Sequence, residues 1–251
     1  MYRDGFTCSI CGLIMGETVE LLAGRYGITR EASDAYALES QQRAERAIAA
    51  GRFVDEIAAM TFKDAKGKDQ TLTVDEHPRA GSTIEGLRKL PPAFGQDGIV
   101  TAGASSGVTD GGAAVVIMSA AAAKARGVTP LARVMGWASA GVDPRMMGIG
   151  PVPAVHKLLK KTGLTLEDFD LVELNEAFAA QVLAVLKDLP IPMEKLNVNG
   201  GSIALGHPIG CTGTRIVVTL LYEMMRRQAR RGLATLCVSG GMGMAMGIEL
   251  C

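Results

Sequence analysis

Apolar positions return at helical spacing near the C-terminus. Ile216, Val217, Leu220, Leu221 and Met224 mark one face of a helix predicted over 212–231. Arg226, Arg227, Arg230 and Arg231 suit its negative end, and Gly232 suits its C′ position. From Pro130 onward, strand and helix patterns alternate: strand 134–140, helix 151–162, strand 170–174, helix 176–187 and strand 196–199. Two last strands, 233–238 and 244–249, follow the long helix. This alternation predicts an α/β layered fold.

The N-terminal half is less regular. Residues 1–16 read as loop, and a short helix over 17–26 stops at Gly27. Thr29 can cap a second helix that carries Ala35, Leu38, Ala44, Ala47 and Ile48 and stops at Gly51. Residues 54–63 and 70–75 read as strands around the turn Lys66-Gly67-Lys68. Pro78, Pro91 and Pro92 make 77–98 irregular covering structure. A tight small-residue stretch, 101–112, then leads into 113–118, an apolar run that reads as a buried strand or a helix-to-strand run.

Composition narrows the function classes. Apolar residues at 48% and charged residues at 21% suit a globular domain rather than a disordered chain. Twenty-six basic residues balance twenty-six acidic ones, so no net field favours nucleic acid or an anionic membrane. No apolar run is long enough to span a bilayer, and the N-terminus lacks an apolar signal core. Five cysteines, an odd number, fit reduced thiols in a cytoplasmic compartment. Cys8 and Cys11 form a single C-x-x-C pair without further zinc ligands, so it reads as structurally neutral, and no metal is expected.

The candidate chemistry lies in three stretches. Residues 197–213 set His207 between Gly206 and Pro208 inside a glycine-rich turn. Residues 173–180 contain Asn175-Glu176-Ala177-Phe178, and 236–243 contain Cys237-Val238-Ser239-Gly240-Gly241. Each stretch follows a predicted strand, and groups just past strand ends meet on one sheet edge. His207 can move a proton near neutrality. A thiol such as Cys237 becomes reactive where electropositive surroundings lower its pKa. Taken singly, each has a plainer reading: an incidental turn histidine, a buried structural cysteine, and Asn175 as a cap for a helix starting at Glu176. The glycines do not follow G-x-G-x-x-G, which disfavours a dinucleotide site.

Together, N-E-A-F, G-H-P-x-G and C-x-x-G-G-x-G in this order resemble the C-terminal part of thiolases, the acyl-CoA acyltransferases that make or split 3-ketoacyl-CoA. The resemblance runs through essentially the whole chain. It implies a thiolase-like layered fold in three parts. These are a loop domain over coenzyme A (1–98), a remnant of the N-terminal half-domain (99–125) and a C-terminal βαβαβ half-domain (126–251). It also implies condensation of two acetyl-CoA to acetoacetyl-CoA, or the reverse thiolysis, with coenzyme A thioester as substrate and no separate cofactor. His207 then matches a base and oxyanion donor, Cys237 the acid/base cysteine, and Asn175 the residue orienting an oxyanion-hole water. Arg79 resembles the arginine at the nucleotide end of coenzyme A. Phe94, Ala102, Ser106, Ala177 and Phe178 match positions along the pantetheine, and Met15 and Met147 match methionines that shorten the acyl pocket.

The chain also departs from the family pattern. Ile14 stands where His is usual, Ser239 where Gly is, Gly86 where Ser is, and Ala104-Ser105 where Asn-Ala is. The C-G-S-G-like segment that carries the family's nucleophilic cysteine does not occur in these 251 residues. The resemblance therefore implies a fragment, an internal start, a processed piece or half of a split enzyme. The expected partners are acyl-CoA and either a second copy or a chain supplying the missing segment. A longer-chain 3-ketoacyl-CoA thiolase and a non-catalytic CoA- or partner-binding fragment are the alternatives.

Overall fold

The computed structural model describes residues 2–251. After a π-helical turn at Tyr2–Phe6, helix α1 spans Met15–Tyr26 and α2 spans Arg30–Ala49. The α1 start is held by the Glu17 carboxylate, which accepts from Ile14 N–H at 2.9 Å, and Gly27 closes it at φ 59°. Thr29 caps α2 as expected, its hydroxyl accepting from Ala32 N–H at 3.2 Å. The buried face of α2 is unusually polar: Ser33, Asp34, Tyr36, Ala37, Ser40, Gln41, Ala44 and Ala47. Ala35 and Ile48, expected on the inner face, are exposed.

Strands β1 (Met60–Lys63) and β2 (Asp69–Leu72) make an exposed antiparallel hairpin, shorter than the predicted runs. Helix α3 (Ile84–Arg88) breaks the otherwise irregular 77–98 segment. It is tied to α2 by Arg30, whose guanidinium donates to the carbonyls of Leu87 and Leu90 at 2.9 Å each. Residues 113–118 are not a buried strand. They run unpaired and mostly exposed into α4 (Ala120–Ala125). Their apolar character would suit a strand, but no described element lies against them to bond or cover them.

The remaining chain builds β3 (Ala132–Gly141), α5 (Pro151–Thr162), β4 (Leu171–Leu174), α6 (Ala179–Asp188), α7 (Ser202–Leu205), α8 (Thr212–Arg227), β5 (Arg231–Val238) and β6 (Met242–Leu250). The sheet order is β3-β6-β5-β4, with β4 and β5 parallel and the other pairs antiparallel. Side-chain alternation gives it two apolar faces. Val172, Leu174, Leu233 and Ala245 join Val155 and Leu158 of α5 and Val182 and Val185 of α6. Leu171, Ala234 and Ile248 join Ile216, Leu220 and Met224 of α8 on the other face. The result is a helix–sheet–helix layering, the α/β architecture expected.

The strands of this sheet shift by one or two residues at their ends, and three larger differences from the prediction have identifiable causes. Helix α6 starts at Ala179, not 176, because Phe178 is the extended N-cap residue and residues 175–177 are drawn into the site. Residues 196–199 pair only through a bridge between Leu196 and Val172 and then turn. Helix α8 ends at Arg227, with Gln228 in the left-handed conformation at φ 54°, so Arg231 and Gly232 begin β5.

Candidate active site

The parallel register of β4 and β5 brings the motifs together. Asn175 directly follows β4, and its N–H donates to Thr235 O of β5 at 3.0 Å. Cys237 lies two residues beyond Thr235, next to the end of β5. Both therefore stand at the same edge of the sheet.

The glycine-rich loop delivers His207 to that edge. The Asn175 amide meets His207 Nε2 at 3.3 Å, and His207 Nδ1 lies 2.7 Å from the Thr212 hydroxyl in the first turn of α8. The surrounding bonds decide the protonation pattern. Thr212 Oγ1 donates to Pro208 O at 2.9 Å, so it accepts from Nδ1–H. Arg215 donates to Ser202 Oγ at 2.9 Å, and Ser202 Oγ donates to Asn175 Oδ1 at 2.6 Å. Asn175 must then turn its NH2 toward His207, whose Nε2 is a bare acceptor. Burial first, then the positive charge of Arg215, lowers the imidazole to about 4, so the ring is neutral at physiological pH. Gly206 is required behind it: its φ is 93°, and a Cβ there would lie 2.6 Å from the Thr109 side chain.

Cys237 has different surroundings. It is buried in one apolar cluster with Met15, Met147, Val100 and Ala177, and Phe94 and Phe178 pack against it. Phe94 and Phe178 meet edge-on at 6.2 Å. Burial pushes the thiol up to about 12, against a smaller downward effect of its own backbone N–H. This corrects the expectation of a thiol acidified by positive neighbours. At neutral pH Cys237 is a protonated thiol, fitted to give a proton rather than to hold a negative charge.

Most of the other sequence-predicted residues gather here. Ser106 N–H donates to Ala177 O at 3.0 Å, and Ser105 bridges to Phe178. Arg79 and Ala102 are exposed and outside the apolar cluster. Arg79 instead lines an open groove of about 400 Å³ with Glu76, His77, Pro78 and Thr109. That groove adjoins the histidine loop, since His77 Nδ1 lies 2.8 Å from Ala204 O and His207 N–H donates to Gly107 O at 3.0 Å. Asn175 is not the helix cap that its position before Glu176 suggested. Both ends of its amide are used, on Ser202 and on His207.

Sequence reasoning missed the support beneath the site. The buried Glu176 carboxylate accepts from Tyr36 Oη at 2.8 Å, Ser40 Oγ at 2.6 Å, Asn197 Nδ2 at 2.9 Å and Ile203 N–H at 3.2 Å. One carboxylate thus joins α2, the end of β4 and the glycine loop. Burial and the nearby Glu176 charge raise the Tyr36 phenol well above its ordinary value, so it stays a donor. The signal that could have found this was the run of polar residues on the inner face of α2. Ser202, Thr212 and Arg215 were also missed, although all three flank His207 closely in sequence.

Comparison with known proteins bears on the family and the fold. Residues 1–121 match the family described as "Thiolase, N-terminal domain", and residues 128–250 match "Thiolase, C-terminal domain". An acetyl-CoA acetyltransferase of Pseudomonas aeruginosa is 55% identical over 246 residues, which covers 98% of this chain and 63% of that protein. The crystal structure of the Bacillus anthracis acetyl-CoA acetyltransferase superposes with a TM-score of 0.96 at 52% identity, covering 98% of this chain and 62% of that one. Human mitochondrial 3-ketoacyl-CoA thiolase in complex with CoA superposes at 0.89 with 46% identity, covering 98% of this chain and 61% of that one. The chain therefore spans somewhat less than two thirds of the length of these relatives. Two adjoining family matches along nearly the whole chain, and a fold shared at this level, establish that the chain belongs to the thiolase family.

Proposed function

We propose that these residues carry the acid–base and CoA-binding side of an acetyl-CoA C-acetyltransferase. The reaction is condensation of two acetyl-CoA or thiolysis of acetoacetyl-CoA. The observation that carries this reading is the meeting of Asn175 and His207 on the sheet edge that also bears Cys237. A neutral imidazole whose Nε2 accepts only a long contact from the Asn175 amide can exchange that contact for the proton of an incoming thiol. The Asn175 NH2 is placed to orient an oxyanion-binding water, and the thiol of Cys237 can protonate the carbanion released when acetoacetyl-CoA is split. In the condensing direction the same sulfur takes the proton back. The family's nucleophilic thiolate has no counterpart segment in these 251 residues, so the complete reaction draws it from outside them.

Substrate size and cover are read from the same neighbourhood. Met15 and Met147 beside Cys237 favour a short acyl group, and Phe94, Ala177 and Phe178 of the same cluster, with Ser106 bonded to Ala177 and the exposed Ala102, would line the pantetheine. Arg79 on its groove would meet the nucleotide end. We divide the chain into a covering unit (1–98), a short segment of the N-terminal half-domain (99–125) and the sheet unit (126–251). Helices α1 and α2 of the first pack directly on the third. A second copy or a chain bearing the remaining half-domain is the expected partner. Five free thiols favour a reducing, cytoplasm-like compartment. Among the described residues, no helix is long and apolar enough to cross a membrane.

The test is thiolysis of acetoacetyl-CoA by the assembled protein. Cys237→Ala is expected to lower kcat by about 10²–10⁴-fold, the usual worth of one acid–base group. Retained activity refutes the assignment, and faster turnover of longer 3-ketoacyl-CoA would move the chain to the longer-chain reading. The absent nucleophile segment favours a second reading, non-catalytic CoA binding by this chain alone. Nucleophile-dependent thiolysis by the purified 251 residues would refute that one.

A further inference from the structure

The Cys8–Cys11 pair was left unused by the reading above, yet its surroundings are specific. Thr7 bridges Ile14, Cys8 N–H donates to Leu13 O and Gly12 N–H donates to Cys8 O, both at 2.8 Å. These bonds close 7–14 into a tight turn that carries both cysteines. Cys11 N–H points at Cys8 Sγ from 3.5 Å. The loop that follows Cys237 lies against this turn, since a Cβ at Gly240 would come within 3.6 Å of the Ile10 side chain. Cys8 is fully buried in the apolar cluster around Cys237, whereas Cys11 is partly accessible at its rim.

Burial raises the Cys8 thiol, but the N–H groups of Cys11, Ile10 and Gly240 and the Cys11 thiol outweigh it and lower its pKa. Burial, joined by its interaction with the Cys8 sulfur, raises Cys11 despite the Leu13 and Cys11 backbone. The two thiols are therefore unequal, Cys8 sheltered and the more acidic, Cys11 reachable and the less acidic. A pair with these properties suits stepwise thiol–disulfide exchange.

We propose that Cys8 and Cys11 form a dithiol–disulfide site that is oxidised by small-molecule disulfides, at the wall of the cluster holding Cys237. Cys11 as thiolate attacks the disulfide and releases one thiol, leaving a mixed disulfide on Cys11. The Cys8 thiolate then attacks the Cys11 sulfur, releases the second thiol and closes the protein disulfide. One small disulfide is reduced to two thiols, and two protein thiols lose their hydrogens. The assignment uses only the turn and its contacts, so it does not depend on the catalytic reading.

The experiment treats the full chain with oxidised glutathione, blocks remaining thiols with iodoacetamide and maps tryptic peptides without reduction. Both cysteines fall in the single peptide Asp4–Arg25. The expected product is that peptide unalkylated and lighter by two hydrogen atoms. Cys8→Ser should stop the reaction at a lasting glutathione adduct on Cys11. Cys11→Ser should leave the shielded Cys8 without an adduct, which keeps the proposal testable if the first variant folds poorly. A wild-type chain in which both cysteines remain alkylatable while Cys211 or Cys251 carries glutathione overturns the site. So does a stable adduct on Cys11 that Cys8 never displaces.

Discussion

Two apolar stretches of this chain have opposite fates. Ile216 and Leu220 on α8 are 0% and 1% exposed, whereas Val116 and Ile117 are 86% and 72% exposed. Their hydrophobicity does not separate them. Helix α8 has the Leu171, Ala234 and Ile248 face of the sheet to lie on. The 113–118 segment has neither a bonding neighbour nor a covering layer among the described residues. Burial is thus decided by what stands opposite, not by the apolar run itself. The curated relatives are longer than this chain, which is where cover for such a segment would be sought.

That contrast can be broken by mutation, with the largest effect on the covered side. Leu220→Ala should cost about 2–5 kcal/mol, the usual range for emptying a packed core position. Denaturant unfolding measures it, and a loss below about 1 kcal/mol would mean that α8 is not tightly seated on the sheet.

A middle-sized effect belongs to the buried imidazole. The folded pKa of His207, about 4, lies below its ordinary 6.5. The unfolded chain binds the extra proton between those values, so this residue's contribution is complete above pH 6.5 and is lost as pH falls toward 4. The lowering corresponds to about 3–4 kcal/mol at roughly 1.4 kcal/mol per pH unit. Glu173, raised to about 8 by burial, runs the other way and weakens the fold as pH rises toward 8. The His207 share is therefore read as the difference in acid unfolding between wild type and His207→Gln. Equal acid profiles for the two proteins would contradict the buried neutral ring.

The smallest stability effect lies on the uncovered side. Val116→Lys with Ile117→Ser should change stability by less than about 0.5 kcal/mol, as surface substitutions do. The same variant should self-associate less in sedimentation, because an exposed apolar run is a sticky edge. If it instead melts as Leu220→Ala does, the segment is packed in solution and the contrast fails.

Much of the fold was legible because periodicity and punctuation agreed. Helix α5 follows its predicted limits, and Thr29 and Gly27 act as the cap and stop that their chemistry suggested. Helix α2 was harder to read, since its inner face is built from Tyr36, Ser40 and Gln41, which periodicity counts as outward residues. The start of α6 moved for a related reason. Asn175 and Glu176 are engaged by Ser202, His207, Tyr36 and Ser40 from distant parts of the chain, which leaves Phe178 to begin the helix.

The order of residues alone determined the layered architecture, the family and the residues worth naming as a site, because these rest on local spacing and on three short motifs. Only the tertiary structure decided the state of that site. The tautomer of His207 depends on Arg215, Ser202 and Thr212 acting in series, and the protonation of Cys237 depends on the apolar side chains gathered around it. Hydrogen bonding and desolvation are set by neighbours in space, and those neighbours come from α1, α7, α8 and the irregular segment before residue 100.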